Sequence, residues 1–144
     1  MAGLSVDLEE IMMALEDNTG TEYYLDLESG DVLRFSADPG LNEDLEEEFG
    51  EAMENNPARF RHIEPISSSQ SFQVMADFVE SLNESKAKEV LFRVLGGSKP
   101  FRNFKDALLS FPDVREQWFR HHDVVFKEFA LSWLRDEEIE TEIR

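Results

Sequence analysis

The sequence contains no cysteine, which excludes a disulfide framework and any thiolate metal site. It is nearly devoid of bases over its first 57 positions, where Arg34 stands alone against 17 acids. No apolar run approaches the ~18 residues that would span a bilayer. The opening Met1-Ala2-Gly3-Leu4-Ser5-Val6-Asp7 has neither the basic nor the apolar stretch of a secretion signal. No internal repeat occurs, and Ser67-Ser68-Ser69 is the nearest approach to low complexity. These absences lead to the expectation of a soluble, cytoplasmic protein with no membrane attachment.

What the chain does have is phenylalanine and acid. Twelve Phe among 144 residues, 41% of them apolar, supply enough hydrophobic area for one core without staples. The reading is therefore one domain over residues 1–135, followed by an acidic tail, 136–144, that frays. Charge is segregated along the chain: residues 1–57 carry net −16, residues 58–135 have 10 acids against 12 bases, and 136–144 have 5 acids against Arg144. An acidic front half argues against nucleic-acid binding by the whole surface and allows a basic protein partner.

Periodicity predicts the elements in order. Leu8, Ile11, Met12 and Leu15 place a helix over residues 4–15 with Ser5 as its cap. Alternation from Tyr23 to Phe35 about Leu27-Glu28-Ser29-Gly30-Asp31 predicts a hairpin whose Gly30 is left-handed. Pairing Leu27 with Asp31 sets Leu25 opposite Leu33 and Tyr23 opposite Phe35, giving a sheet covered on one face. A helix from Asn42 to Asn56 bears Leu45, Phe49, Ala52 and Met53 in a narrow stripe among glutamates, and residues 59–63 supply a third strand. Four more helices follow: one with Phe72, Met75, Val79 and Leu82; one capped by Asn83 and ended by Gly96-Gly97; a short one begun by Pro100; and the longest, 114–134.

Several residues could carry chemistry. His121-His122-Asp123 offers imidazole beside carboxylate, but adjacent helical residues point about 100° apart, so both rings do not reach one ion and no metal site is expected. His122, between Trp118 and Phe126, reads as a half-buried histidine with one hydrogen bond. Arg115 falls on the apolar side of the long helix and reads as the cation of an internal ion pair. Alternatively, Arg102, Lys105, Arg115 and His122 form a small-anion or nucleotide pocket. The basic run Lys86, Lys88, Arg93, Lys99, Arg102 and Lys105 is interleaved with aromatics that, Phe92 excepted, face inward, which makes it a poor stacking platform for nucleic acid. Gly96-Gly97-Ser98-Lys99 lacks Walker spacing. The glutamates of 43–54 lack the glycine-centred loop of a calcium site and read as a solubilising face or, more rarely, a mimic of a phosphate backbone.

Leu25-Asp26-Leu27-Glu28-Ser29-Gly30-Asp31-Val32, Ile63-Glu64-Pro65, Met75-Ala76-Asp77-Phe78-Val79, Phe101-Arg102-Asn103-Phe104-Lys105-Asp106-Ala107-Leu108, Arg115-Glu116-Gln117-Trp118-Phe119 and Trp133-Leu134 occur in that order. The set resembles the bacterial uncharacterised protein family 0158, from about Leu25 to Leu134. The resemblance implies a bacterial cytoplasmic domain and assigns no catalytic residue. The expectation is thus an α+β fold, a small antiparallel sheet of two or three strands packed against a bundle of four to six helices. It acts as a non-enzymatic interaction or regulatory module without cofactor, with an anion-binding protein or enzyme and a nucleic-acid mimic or binder as the alternatives.

Overall fold

Asp7, not Ser5, starts the first helix: its carboxylate accepts from the Glu9 amide at 3.0 Å, and Leu4–Val6 before it is extended. In this computed structural model, which describes residues 3–144, the order is β1 (Leu4–Val6), α1 (Leu8–Glu16), β2 (Glu22–Asp26), β3 (Val32–Phe35), α2 (Glu43–Asn55), β4 (Phe60–Ile63), α3 (Ser68–Ser81), α4 (Lys86–Leu95), α5 (Pro100–Leu108), α6 (Pro112–Asp136) and β5 (Thr141–Ile143). Among the described residues these are six α-helices, a three-stranded antiparallel sheet ordered β3-β2-β4, and a parallel pair β1-β5, an α+β fold. The chain divides into two units. An α/β unit holds Met1–Ile66 and Phe126–Arg144, and a helical unit holds Ser67–Val125.

In the α/β unit the hairpin register differs by one residue from the pairing predicted above. Leu25 opposes Val32 and Tyr23 opposes Arg34. The cause is Asp26, whose carboxylate accepts from the Glu28 amide at 2.9 Å and the Ser29 hydroxyl at 3.0 Å, closing an Asx turn inside the loop. The Asp26 amide then donates to the Asp31 carbonyl at 2.9 Å, and the amide of Gly30, at φ +81°, donates to the Asp26 carbonyl at 2.8 Å. Because side chains alternate, this slip exchanges cross-strand partners throughout the hairpin.

The sheet is covered on both faces rather than one. Tyr23, Leu25 and Ile63 join Ile11, Ala14 and Leu15 of α1 and Ala130 and Leu134 of α6 in one buried cluster. On the opposite side Phe60 is buried and meets Phe49 of α2 edge-on at 6.2 Å, while Tyr24 meets Phe35 edge-on at 5.8 Å. The segment expected to fray is instead a strand: Thr141–Ile143 pairs in parallel with Leu4–Val6. Ile139 packs on the cluster, and the open edge of β1 supplies the hydrogen bonds a loose tail would seek from water. Arg144 reinforces the pairing, its amide donating to the Val6 carbonyl at 2.7 Å and its guanidinium reaching Ser5, the Ser29 carbonyl and Asp31.

The helical unit is built on Trp118. Its ring meets Phe104 at 4.9 Å and Phe78 at 5.4 Å, both edge-on, and Val74, Met75, Val79, Ala87, Leu91 and Leu108 are buried with them. Ser67 and Gln70 cap α3 reciprocally. Ser85, not Asn83, caps α4, accepting from the Lys88 amide at 3.2 Å.

Candidate functional site

The four residues nominated as an anion site lie on α5 and α6 of the helical unit. Arg102 and Lys105 are exposed, and Arg102 stands 4.0 Å from Asp106 one turn along the same helix, a pair solvent largely screens. Arg115 is exposed as well, so the internal ion pair expected of it is not found among the described residues. Its guanidinium lies 4.8 Å above the ring of Phe119, which is itself 47% exposed. The inward side of α6 is set by Trp118, and Arg115 with Phe119 flank that line on the solvent side.

His122 is half-buried, with Nδ1 3.6 Å from the Asp123 carboxylate and its ring 5.7 Å from Trp118. The neighbour His121 is hydrogen-bonded and packed as well. Its Nε2 lies 3.2 Å from the Val74 carbonyl, and its ring sits between Phe78 and Trp118. Among the described residues no group of three His, Cys, Asp or Glu side chains is placed to hold a metal ion.

The most perturbed side-chain carboxylate among the described residues is one that local sequence does not mark as a site. Asp26, 1% exposed, receives Arg59 Nε at 2.9 Å and Nη2 at 2.8 Å in a bidentate pair, in addition to the two loop bonds. The Arg59 guanidinium, helped by the Glu28 amide and the Ser29 hydroxyl against the effect of burial, lowers its pKa from 3.8 to about 2. With its lone pairs so occupied, the group is a structural anchor and a poor general base. A second polar cluster joins Tyr23, which donates to Asp17 at 2.5 Å, with Thr19 donating to the same carboxylate at 2.6 Å. Thr19 first and Tyr23 second hold Asp17 below the usual carboxylate range, while burial and then Asp17 raise the Tyr23 phenol. The signal in the sequence for the Asp26 anchor is Asp26-x-x-Ser29-Gly30, an Asx-turn pattern, but its partner Arg59 is 33 residues away.

Each unit has a concavity among its described residues. The α/β unit has a hollow of about 310 Å³ between α1 and the hairpin, walled by Met13, Tyr23, Leu33 and Leu45, with Glu10 and Arg34 at its margin. The helical unit has a groove of about 540 Å³ between α3 and α4, floored by Phe72, Ala76, Val79 and Leu95 and rimmed by Glu80 and Lys88. None of Arg102, Lys105, Arg115 or His122 lines either one.

Charge divides more sharply by unit than by sequence position. The α/β unit holds 24 acids against 6 bases, net −18, and the helical unit holds eight of each, net zero. Seven of those acids, Glu43, Asp44, Glu46, Glu47, Glu48, Glu51 and Glu54, are exposed along α2.

The whole chain, residues 1–144, matches the model of the uncharacterised protein family UPF0158. A Pseudomonas aeruginosa relative, UPF0158 protein PA5073, is 36% identical over 144 residues, covering 100% of this chain and 90% of the relative. No solved structure matches the chain. No helix among the described residues is long and apolar enough to cross a membrane.

Proposed function

We propose that this chain, which belongs to the uncharacterised protein family UPF0158, is a non-enzymatic interaction module whose α/β unit engages a basic protein partner through the carboxylate row of α2. The observation that carries the reading is the division of charge, net −18 on one unit and zero on the other. A surface of one sign raises the local concentration of oppositely charged partners and speeds their encounter. The row on α2 suits this role because Phe49 seats the helix against Phe60 while its exposed carboxylates have no ion pair with any base among the described residues. An amphipathic helix with a narrow apolar stripe leaves most of its circumference for solvent. Some carboxylates elsewhere in the same unit are engaged by the fold instead: Asp26 and Glu28 by Arg59, Glu137 by Arg61 and Asp31 by Arg144.

The test is titration with a Lys/Arg-rich twelve-residue peptide, monitored by backbone amide shifts at low and high salt. A quadruple variant, Glu46→Gln, Glu47→Gln, Glu51→Gln and Glu54→Gln, is compared with one that neutralises the exposed Glu9, Glu10, Glu64 and Glu142, an equal loss of charge elsewhere in the unit. Shifts concentrated on α2 and a loss of affinity at least tenfold greater in the first variant support the reading. Equal loss in both variants reduces it to diffuse attraction and refutes a role for α2.

A further inference from the structure

The groove between α3 and α4 has a feature its size alone does not explain. Phe92 stands on its lip with 74% of its surface exposed. α4 turns Ala87 and Leu91 into the helical core, and Phe92 follows Leu91 by one residue, about 100° around the helix, so it lines the edge of the groove with most of its ring left in solvent. Elsewhere in the same unit Phe101, Leu109, Phe119 and Val124 are also exposed. An apolar knob and an apolar hole lie side by side on one patch.

From this juxtaposition we infer that the protein self-associates about a two-fold axis through the α3/α4 face, Phe92 of each copy entering the groove of the other. A two-fold interface must be self-complementary, because one patch faces itself, and a knob adjoining a hole meets that requirement. Charge selects this face as well. Apposing two α/β units would set −18 against −18, whereas the helical units meet at net zero, with both signs present on the groove rim at Glu80 and Lys88. Lys88 is held 3.3 Å from Glu84 and from the Glu80 carbonyl, which keeps its ammonium at the rim and leaves the apolar floor clear. Two phenylalanines buried in this way account for roughly 300–500 Å². That is a minority of the about 1,600 Å² of a stable interface, so the association is a transient one that needs high concentration to be seen. The inference is independent of what the acidic unit binds.

Sedimentation equilibrium of the full chain from about 5 to 200 µM tests it. The expected result is a mass that rises with concentration from 16.7 kDa toward twice that value. Phe92→Glu, at an exposed position, is expected to keep the wild-type melting curve and to remain at 16.7 kDa throughout. In a mixture of labelled and unlabelled chains, isotope-filtered spectra are expected to show contacts from the Phe92 ring to methyl groups of Ala76, Val79 and Leu95 of the other copy. A wild type that stays monomeric at 200 µM overturns the inference and leaves the groove to a different protein. Association that survives Phe92→Glu, or a dimer without those methyl contacts, overturns it equally.

Discussion

Asp26→Asn removes a charge at the point where the hairpin loop and the start of β4 are tied together, and its cost depends on pH in a calculable way. In the folded chain the carboxyl titrates near 2 instead of 3.8, because the ionised form is held by Arg59, the Glu28 amide and the Ser29 hydroxyl. A depressed folded-state pKa stabilises above the unfolded value and loses that contribution as pH falls toward the folded one. The difference is worth about 2 kcal/mol, nearly all of it present at pH 5 and nearly all lost by pH 2. At neutral pH the substitution also sets an amide N–H₂ against donors that had faced an oxygen, so the total loss is expected to be about 2–4 kcal/mol. Absolute stability against pH is a poor readout here, since protonating the other acids of a chain of net −18 relieves repulsion over the same range. The difference between wild type and variant isolates the single group. Urea unfolding of both proteins at half-unit steps from pH 6 to 2 should show that gap narrowing by about 2 kcal/mol, with Arg59→Met abolishing the narrowing. A gap that stays constant down to pH 2 would mean that Asp26 titrates normally and that its pair with Arg59 contributes little.

Three further outcomes follow from the same geometry. Gly30→Ala places a methyl 1.7 Å from the Ser5 carbonyl at a φ of +81°; the loss should be at least about 2 kcal/mol in urea midpoint, with fluctuation of β1 visible by hydrogen exchange. Phe104→Ala, at a fully buried ring against Trp118, should cost about 3–5 kcal/mol and quench or shift the Trp118 emission. Arg144→Ala removes the hook on Ser5, Ser29 and Asp31; because the side chain is partly exposed, global stability should fall by less than about 1 kcal/mol while amides of Leu4–Val6 and Thr141–Ile143 exchange faster. Unchanged protection of those strands would show that β5 holds without its arginine.

The candidate site was legible in part. That Phe92 faces away from the core followed from its place in the α4 pattern, and its 74% exposure agrees. The same spacing places Phe101 inward, yet it is 38% exposed, because α5 buries the line through Phe104 and Leu108 and leaves Phe101 at its edge. Asn42 shows a different shortfall. It stands at the start of α2 as its residue type suggests, yet its side chain does not cap the helix. It bonds the Ser36 amide and carbonyl at 2.8 and 2.9 Å, a partner contributed by the preceding loop. Asn, Asp and Ser have short polar arms that serve a helix end or a loop equally well, and local sequence does not say which backbone group is nearest.

The sequence by itself determined the helices, the antiparallel hairpin with its left-handed Gly30, the aromatic interior around Phe104 and Trp118, and the crowding of acid into the front half. Each of these depends on spacing within a few residues or on counting. Tertiary structure alone decided the one-residue register, the coverage of both sheet faces, the exposure of Arg115 and the capture of Thr141–Ile143 by Leu4–Val6. It also placed all of the net charge on one unit and the knob beside its groove on the other. Those outcomes turn on partners up to 139 residues apart, as when Arg144 reaches Ser5, and a hydrogen bond at that separation leaves no periodic trace in the chain.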